Sequence, residues 1–131
     1  MSTPADRALK ISRRARRSGE LGRRYEAIAL AWLRLKGYRL LAKRFGGKGG
    51  EIDLIMLRGG TVAFVEIKAR ARIEEAALTI TAEKRRLVET RMRQWLSRNP
   101  WAMQRTLRAD AVFLAPWRLP RHVPDAFTLR L

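Results

Sequence analysis

An α/β layer architecture is what the sequence predicts for this 131-residue chain. Three observations lead there. Apolar residues recur at helical spacing in two separate segments, a pair of strands joined by Gly-Gly lies between them, and another extended apolar run follows the second helix. The predicted order is helix, three strands, helix, then one or two strands. It forms a single domain over residues 19–131, preceded by a flexible basic N-terminal arm over residues 1–18. No internal repeat and no second domain boundary interrupts it.

The first helix is read in GELGRRYEAIALAWLRLKGY, where Leu21, Tyr25, Ile28, Ala29, Trp32 and Leu33 form one apolar stripe. Ser18 suits its N-cap, and Gly37 stands where a glycine commonly ends a helix. Tyr38 to Phe45 reads as the first strand, and the glycines of GGKGG form a loop into the hairpin GEIDLIMLRGGTVAFVEIK. Gly59-Gly60 signals a two-residue type I′ turn, since both central positions of that turn need positive φ. Ile80 to Leu96 reads as the second helix, with Lys84, Leu87, Val88, Met92, Trp95 and Leu96 near one face and Pro100 closing it. RADAVFLAP is a further strand and the terminal FTLRL a candidate last one. Trp32, Trp95 and Trp101 fit a core, and Trp117, within APWRLP, fits an exposed loop. Asp110 follows Arg108 closely enough to pair with it.

Lys and Arg number 29 against 12 Asp and Glu, a formal net charge of +17. So large a charge on so small a domain points to polyanionic partners, nucleic acid above all. An acidic membrane surface is the rival, but no stretch joins a basic face to a purely apolar one. The absence of cysteine excludes disulfides, thiolate metal sites and thiol nucleophiles. The lone histidine, His122, lies in LPRHVP and is expected to be a solvated loop residue, which weakens histidine-based nuclease and zinc chemistry. No apolar run approaches the ~18 residues of a membrane span, so a cytoplasmic protein with no membrane partner is expected. The Arg-rich, acid-poor start resembles a transit peptide in composition, yet equally suits a mobile arm that contacts phosphates.

The hairpin carries the chemistry. With Gly59-Gly60 as the loop, Asp53 falls opposite Glu66 and Glu51 opposite Lys68. Parity puts Asp53, Ile55, Leu57, Val62, Phe64, Glu66 and Lys68 on one face, with the polar groups at one end. Two carboxylates about 5 Å apart repel by roughly 3 kcal/mol at an effective dielectric near 20. A hard divalent cation relieves that repulsion, and oxygen-only ligation suits Mg²⁺ or Mn²⁺ held by Asp53 and Glu66. Lys68, about 6.6 Å along the strand from Glu66, would reach a water or phosphate oxygen beside the metal. The structural alternative is a cross-strand Glu51–Lys68 ion pair with Asp53 bridging to a basic neighbour. Glu26 lies at the edge of the first helix's stripe, as a solvated flank or as a third acid. Lys84 either snorkels to solvent or meets a phosphate at the second helix's N-terminus.

Arg23 to Tyr38 with Glu26 and Gly37-Tyr38, GEIDLI at 50–55 and FVEIKAR at 64–70 resemble the bacterial YraN-like family. The resemblance runs from about Gly22 to Leu87 and resumes weakly at RADAVFL. That family is similar in fold to archaeal Holliday junction resolvases and restriction endonucleases of the PD-(D/E)xK superfamily. The resemblance therefore implies a restriction endonuclease-like PD-(D/E)xK core, a mixed central sheet flanked by helices. It implies Glu26 as an accessory acid, Asp53 and Glu66 as metal ligands and Lys68 as the catalytic lysine. Two departures stand out. Arg44-Phe45-Gly46 replaces the family's Asn, aromatic and Arg, and ARARIEEAALTI lacks its usual Phe-Gly.

The expected function is a Mg²⁺- or Mn²⁺-dependent endonuclease acting on DNA phosphodiester bonds, selective for structure rather than sequence. Lys84, Arg85, Arg44 and Lys48 are expected to contact the nucleic acid. Analogy with the resolvases adds a homodimer. The alternatives are a non-catalytic nucleic-acid-binding module of the same fold and a scaffold for an acidic protein.

Overall fold

The computed structural model describes residues 19, 22–47, 50–72, 81–126 and 128–129. The basic arm with Ser18, the loop residue Lys48 and most of ARARIEEAALTI lie outside the described residues.

Residues 22–35 form helix α1. It ends as the sequence predicts. Gly37 takes φ 92°, its N–H donates to Arg34 O, and Tyr38 N–H donates to Leu33 O. This paired arrangement satisfies the last carbonyls of the helix and needs a left-handed residue at its centre. Of the predicted stripe, Ala29 and Leu33 are buried, joined by Leu30, while Ile28 is 47% exposed.

Strands β1 (Arg39–Gly47), β2 (Gly50–Arg58), β3 (Thr61–Ala69), β4 (Thr106–Leu114) and β5 (Arg121–Val123) form one mixed sheet in sequence order. Only the β3–β4 pair is parallel. Its crossover contains helix α2 (Ala82–Arg98) and a short 3₁₀ helix over Pro100–Gln104, as a parallel connection requires. Thr81 caps α2, its hydroxyl accepting from Lys84 N–H at 3.1 Å.

The hairpin register is the predicted one: Arg58 faces Thr61 and Leu54 faces Val65. The turn type differs. Of the two turn residues Gly59 alone has positive φ, 56°, which is the pattern of a II′ turn rather than I′. Both turns follow the twist of the strands, so the register survives the change.

Helices cover both faces of the sheet. Ala29, Leu30 and Leu33 of α1 pack with Leu54, Met56, Ala63, Val65, Val112 and Leu114. Val88, Met92, Trp95 and Leu96 of α2 pack with Ile55, Val62, Phe64 and Ala109 on the other side. A central pair apolar on both faces is what this double cover demands.

At one level the alternation fails in two strands together. Ala42 and Phe45 in β1, and Ile52 and Ile55 in β2, belong to one cluster although the members of each pair are an odd three positions apart. The residues between these pairs include Arg44, at φ 47°, which the register of Lys43–Leu54 and Phe45–Ile52 sets level with Asp53. A left-handed residue re-aims the chain after it, and Asn tolerates that conformation better than Arg.

Two expectations about the C-terminal region need correction. His122 is no solvated loop residue: it lies in β5 and its side chain is 1% exposed. Residues 128–129 of FTLRL are not in a strand, and β5 takes the place expected for it. His122 is drawn inward by Asp110, whose carboxylate is wholly buried. Asp110 accepts from Arg108 Nε at 2.7 Å, Arg108 Nη2 at 2.9 Å, His122 Nε2 at 2.8 Å and Asp125 N–H at 3.0 Å. Lys36 Nζ donates to His122 Nδ1, leaving Nε2 as the donor to Asp110. Arg108 Nη2 also donates to the Tyr38 hydroxyl at 2.6 Å. This network ties the end of α1 to β4 and β5. Burial alone would raise the Asp110 pKa, but hydrogen bonds from His122, Arg108 and Asp125 hold it below the usual carboxylate value.

Asp110→Ala strands Arg108 and His122 and should cost about 3–5 kcal/mol, read by urea denaturation at pH 7. Because the native pKa is lowered, Asp110 contributes fully above its unfolded value near 4 and loses that contribution as pH falls through the native one. The gap between wild type and variant should therefore narrow in strong acid. An equal gap at every pH would remove the charge from this account.

Candidate functional site

The β2–β3 ladder gives out at Leu54–Val65, whereas β3 stays paired with β4 as far as Ala69–Leu114. Asp53 stands at the point where the two hairpin strands part. Its Oδ2 accepts Ile67 N–H at 2.7 Å, so a side chain of β2 serves a backbone donor of β3. Glu66, one residue before Ile67, is 3% exposed. The predicted opposition of these carboxylates is thus realised as proximity rather than as a regular ladder pair. Burial, and then the nearby charge of Glu66, push the Asp53 pKa up to about 7. The Ile67 N–H and the ammonium groups of Lys84 and Lys68 pull it partly back.

Glu66 has the opposite kind of surroundings on one oxygen and none on the other. Its Oε1 lies 3.4 Å from Lys68 Nζ and 3.3 Å from Lys84 Nζ. Its Oε2 is buried with no hydrogen-bond partner. Lys84 reaches back from the first turn of α2 to Glu66. Lys68 pairs with Glu66 on its own strand, while Glu51, its expected structural partner, is level with Gly46 of β1.

A cleft of about 670 Å³ opens at this end of the sheet, lined by Glu26, Arg44, Asp53, Lys68, Arg70 and Pro116, among others. Lys68 both lines the cleft and reaches Glu66 behind it. Glu26 does arrive from α1, but in the company of Arg44, whose guanidinium lies 3.3 Å from it. Arg44 is half-exposed at the cleft wall, Arg85 is partly buried on α2, and Lys48 lies outside the described residues. Among the described residues no three His, Asp or Glu side chains cluster as a metal-binding set. Asp53 and Glu66 are the two side chains here whose oxygens could serve a cation.

Sequence reasoning did not find Arg70 and Pro116 as cleft residues. Their signal is indirect: Arg70 follows Lys68 by one strand repeat, and Pro116 follows the β4 strand that runs parallel to β3.

Fold and site together define a mixed α/β domain with one buried carboxylate, one partly buried carboxylate and two lysines at the end of a central hairpin. The chain belongs to the uncharacterised protein family UPF0102, whose profile matches residues 25–114. It is 59% identical to a UPF0102 protein of Methylorubrum extorquens over 79% of this chain and 81% of the relative. It is 52% identical to one of Methylobacterium nodulans over 90% and 92% of the two chains. A UPF0102 protein of Paramagnetospirillum magneticum is 41% identical over 98% of each. Among the described residues no helix is long and apolar enough to cross a membrane.

The raised Asp53 pKa has a consequence for stability. Between about pH 4 and pH 7 the folded chain holds a proton that the unfolded chain has lost, so stability falls as pH rises through that window. Asp53→Asn retains an oxygen for Ile67 N–H and removes the charge. At pH 8, with EDTA present, the variant should be more stable than wild type by on the order of 2–4 kcal/mol. At pH 4 the two should coincide. Thermal unfolding at both pH values reads the difference, and a constant offset would mean that Asp53 is not held neutral by its surroundings.

Proposed function

We propose that this chain is a metal-dependent endonuclease that hydrolyses DNA phosphodiester bonds, selecting by the shape of the DNA rather than by sequence. The core would be of the PD-(D/E)xK type, with Asp53, Glu66 and Lys68 as its signature. The observation that carries the reading is the bare, buried Oε2 of Glu66 beside the raised carboxyl of Asp53. A buried polar atom without a partner costs about 1–3 kcal/mol, and more when charged, so a fold has reason to keep one where something binds.

The residues fit Mg²⁺ or Mn²⁺. Asp53 and Glu66 would hold the ion, the first oriented by Ile67 N–H and the second by its two lysines. When bound, such an ion supplies a Lewis acid that polarises a phosphate oxygen and makes water a better nucleophile at neutral pH. Lys68, between Glu66 and the cleft, orients the attacking water or balances charge on phosphorus. Water adds to phosphorus, one ester oxygen leaves, and that oxygen takes up a proton. Glu26, steadied by Arg44, is an accessory acid at the cleft wall. Arg44, Arg70 and Arg85 offer cations to the backbone phosphates. The net charge of +17 supports the polyanionic substrate.

A second reading is favoured by one feature: Glu66 Oε1 already has two ammonium partners, and Glu26 has its own in Arg44. A non-catalytic nucleic-acid-binding module would need no more than this.

Branched, flapped, nicked and single-stranded DNA, incubated with the purified protein with and without Mn²⁺, separates the two. Metal-dependent cleavage should fall by at least ~100-fold in Asp53→Ala and in Lys68→Ala, while binding in EDTA persists. Affinity should drop on the order of 10³-fold between 50 and 200 mM salt if about six phosphates are contacted. Binding without cleavage of any of these DNAs would leave the module as the function, and salt-insensitive binding would remove nucleic acid from both readings.

A further inference from the structure

The turn that follows β4 holds a residue that the turn itself does not favour. Arg118 N–H donates to Ala115 O at 3.4 Å, closing Ala115-Pro116-Trp117-Arg118. Proline in the second position and a φ of 61° at Trp117 mark a type II turn. Its third position favours glycine or asparagine, because other L side chains crowd the backbone there. Trp117 is nonetheless fully exposed, at 103% of its reference area, so no packing offsets that strain. Pro116 and Pro120 on either side restrict the loop.

The location gives the exposed ring a context. Leu114 pairs with Ala69 of β3, Arg70 N–H donates to Leu114 O at 3.1 Å, and Pro116 lines the cleft with Asp53 and Lys68. Trp117 is three residues past Leu114, so its Cα is within about 11 Å of that strand end. Arg118 and Arg121 follow it in sequence, and Arg70 stands in the cleft wall.

We propose that Trp117 is a stacking platform for an unpaired nucleobase, and that the preferred ligand is a nucleic acid with an unpaired base adjoining a duplex. This rests on the reading of the cleft as a nucleic-acid site, though not on catalysis. Within a duplex the base faces are hidden against their neighbours, so only an unpaired or terminal base can offer its face to the indole. The charge decides against an apolar partner. A +17 chain with arginines close to Trp117 in sequence meets a phosphate backbone favourably, and an indole then takes the base that the backbone carries.

The test is equilibrium binding in EDTA, with fluorescent flapped DNA and fully paired duplex of equal length, for wild type and Trp117→Ala, Trp117→Phe and Trp117→Gly. Wild type should prefer the flap. Alanine and glycine should weaken flap binding roughly 5- to 100-fold, the range for one stacked base, and leave duplex binding within about twofold. Phenylalanine should keep most of the preference. Glycine also removes the turn strain, so a stable Trp117→Gly protein that has lost discrimination separates recognition from folding. Equal losses on flap and duplex, or no loss with alanine, would overturn the assignment. So would loss of binding to anionic phosphatidylglycerol vesicles with DNA binding unchanged, which would give the ring to a membrane surface. Because metal is absent, failure here leaves Mn²⁺-dependent cleavage unaffected, and failure of cleavage leaves this comparison intact.

Discussion

The end of the β2–β3 ladder at Leu54–Val65 is the constraint on which the site depends. Up to that pair the hairpin is core, apolar on both sides and covered by a helix on each. Beyond it β3 remains fixed by β4, and β2 by β1, but the two no longer bond in register with each other. A backbone donor left at such a gap must find an acceptor, and Asp53 supplies one to Ile67. The same double cover that buries the core takes water from the acids at its end. Desolvation of Asp53 is therefore a product of the architecture and not of a local device.

The two lysines act unequally on the two acids. Both lie within ion-pair distance of Glu66 Oε1, and neither is so close to Asp53. Asp53 feels their charge only at longer range, where it does not overcome burial and the neighbouring Glu66. One carboxylate is thus partly neutralised by contact and the other pushed toward its neutral form. Two acids with environments this different are the usual arrangement where a site must accept a cation or move a proton.

The hairpin register was legible because a two-residue turn and a period of two leave little freedom once Gly59-Gly60 is recognised. Gly37 ending α1 and the apolar stripe of α2 were legible for similar local reasons. The switch of faces around Arg44 and Asp53 was not, since it depends on a positive φ that Arg does not advertise. Nor was β5. Three residues between prolines are too few to show alternation, and His122 is buried by a partner twelve positions away. The meeting of Lys84 with Glu66 was not legible either, because only the crossover of α2 over β3 brings the two together.

β4 supplies a comparison from within the same sheet. Asp110 is level with Val65 and Ala111 with Glu66, so Asp110 and Glu66 lie one step apart on neighbouring strands, pointing to opposite faces. Both are buried acids in one sheet under one pair of helices. Asp110 accepts four hydrogen bonds shared over both of its oxygens, and its pKa is held low. That is how this fold treats a carboxylate that serves structure. Glu66 keeps one oxygen bare, and its neighbour Asp53 has a pKa raised to about 7. The means to satisfy a buried acid are present in an arginine-rich chain, since Arg108 and His122 do so for Asp110 on the neighbouring strand. Leaving Glu66 Oε2 unmet is then a property of that position, which favours a ligand-receiving role over a structural one.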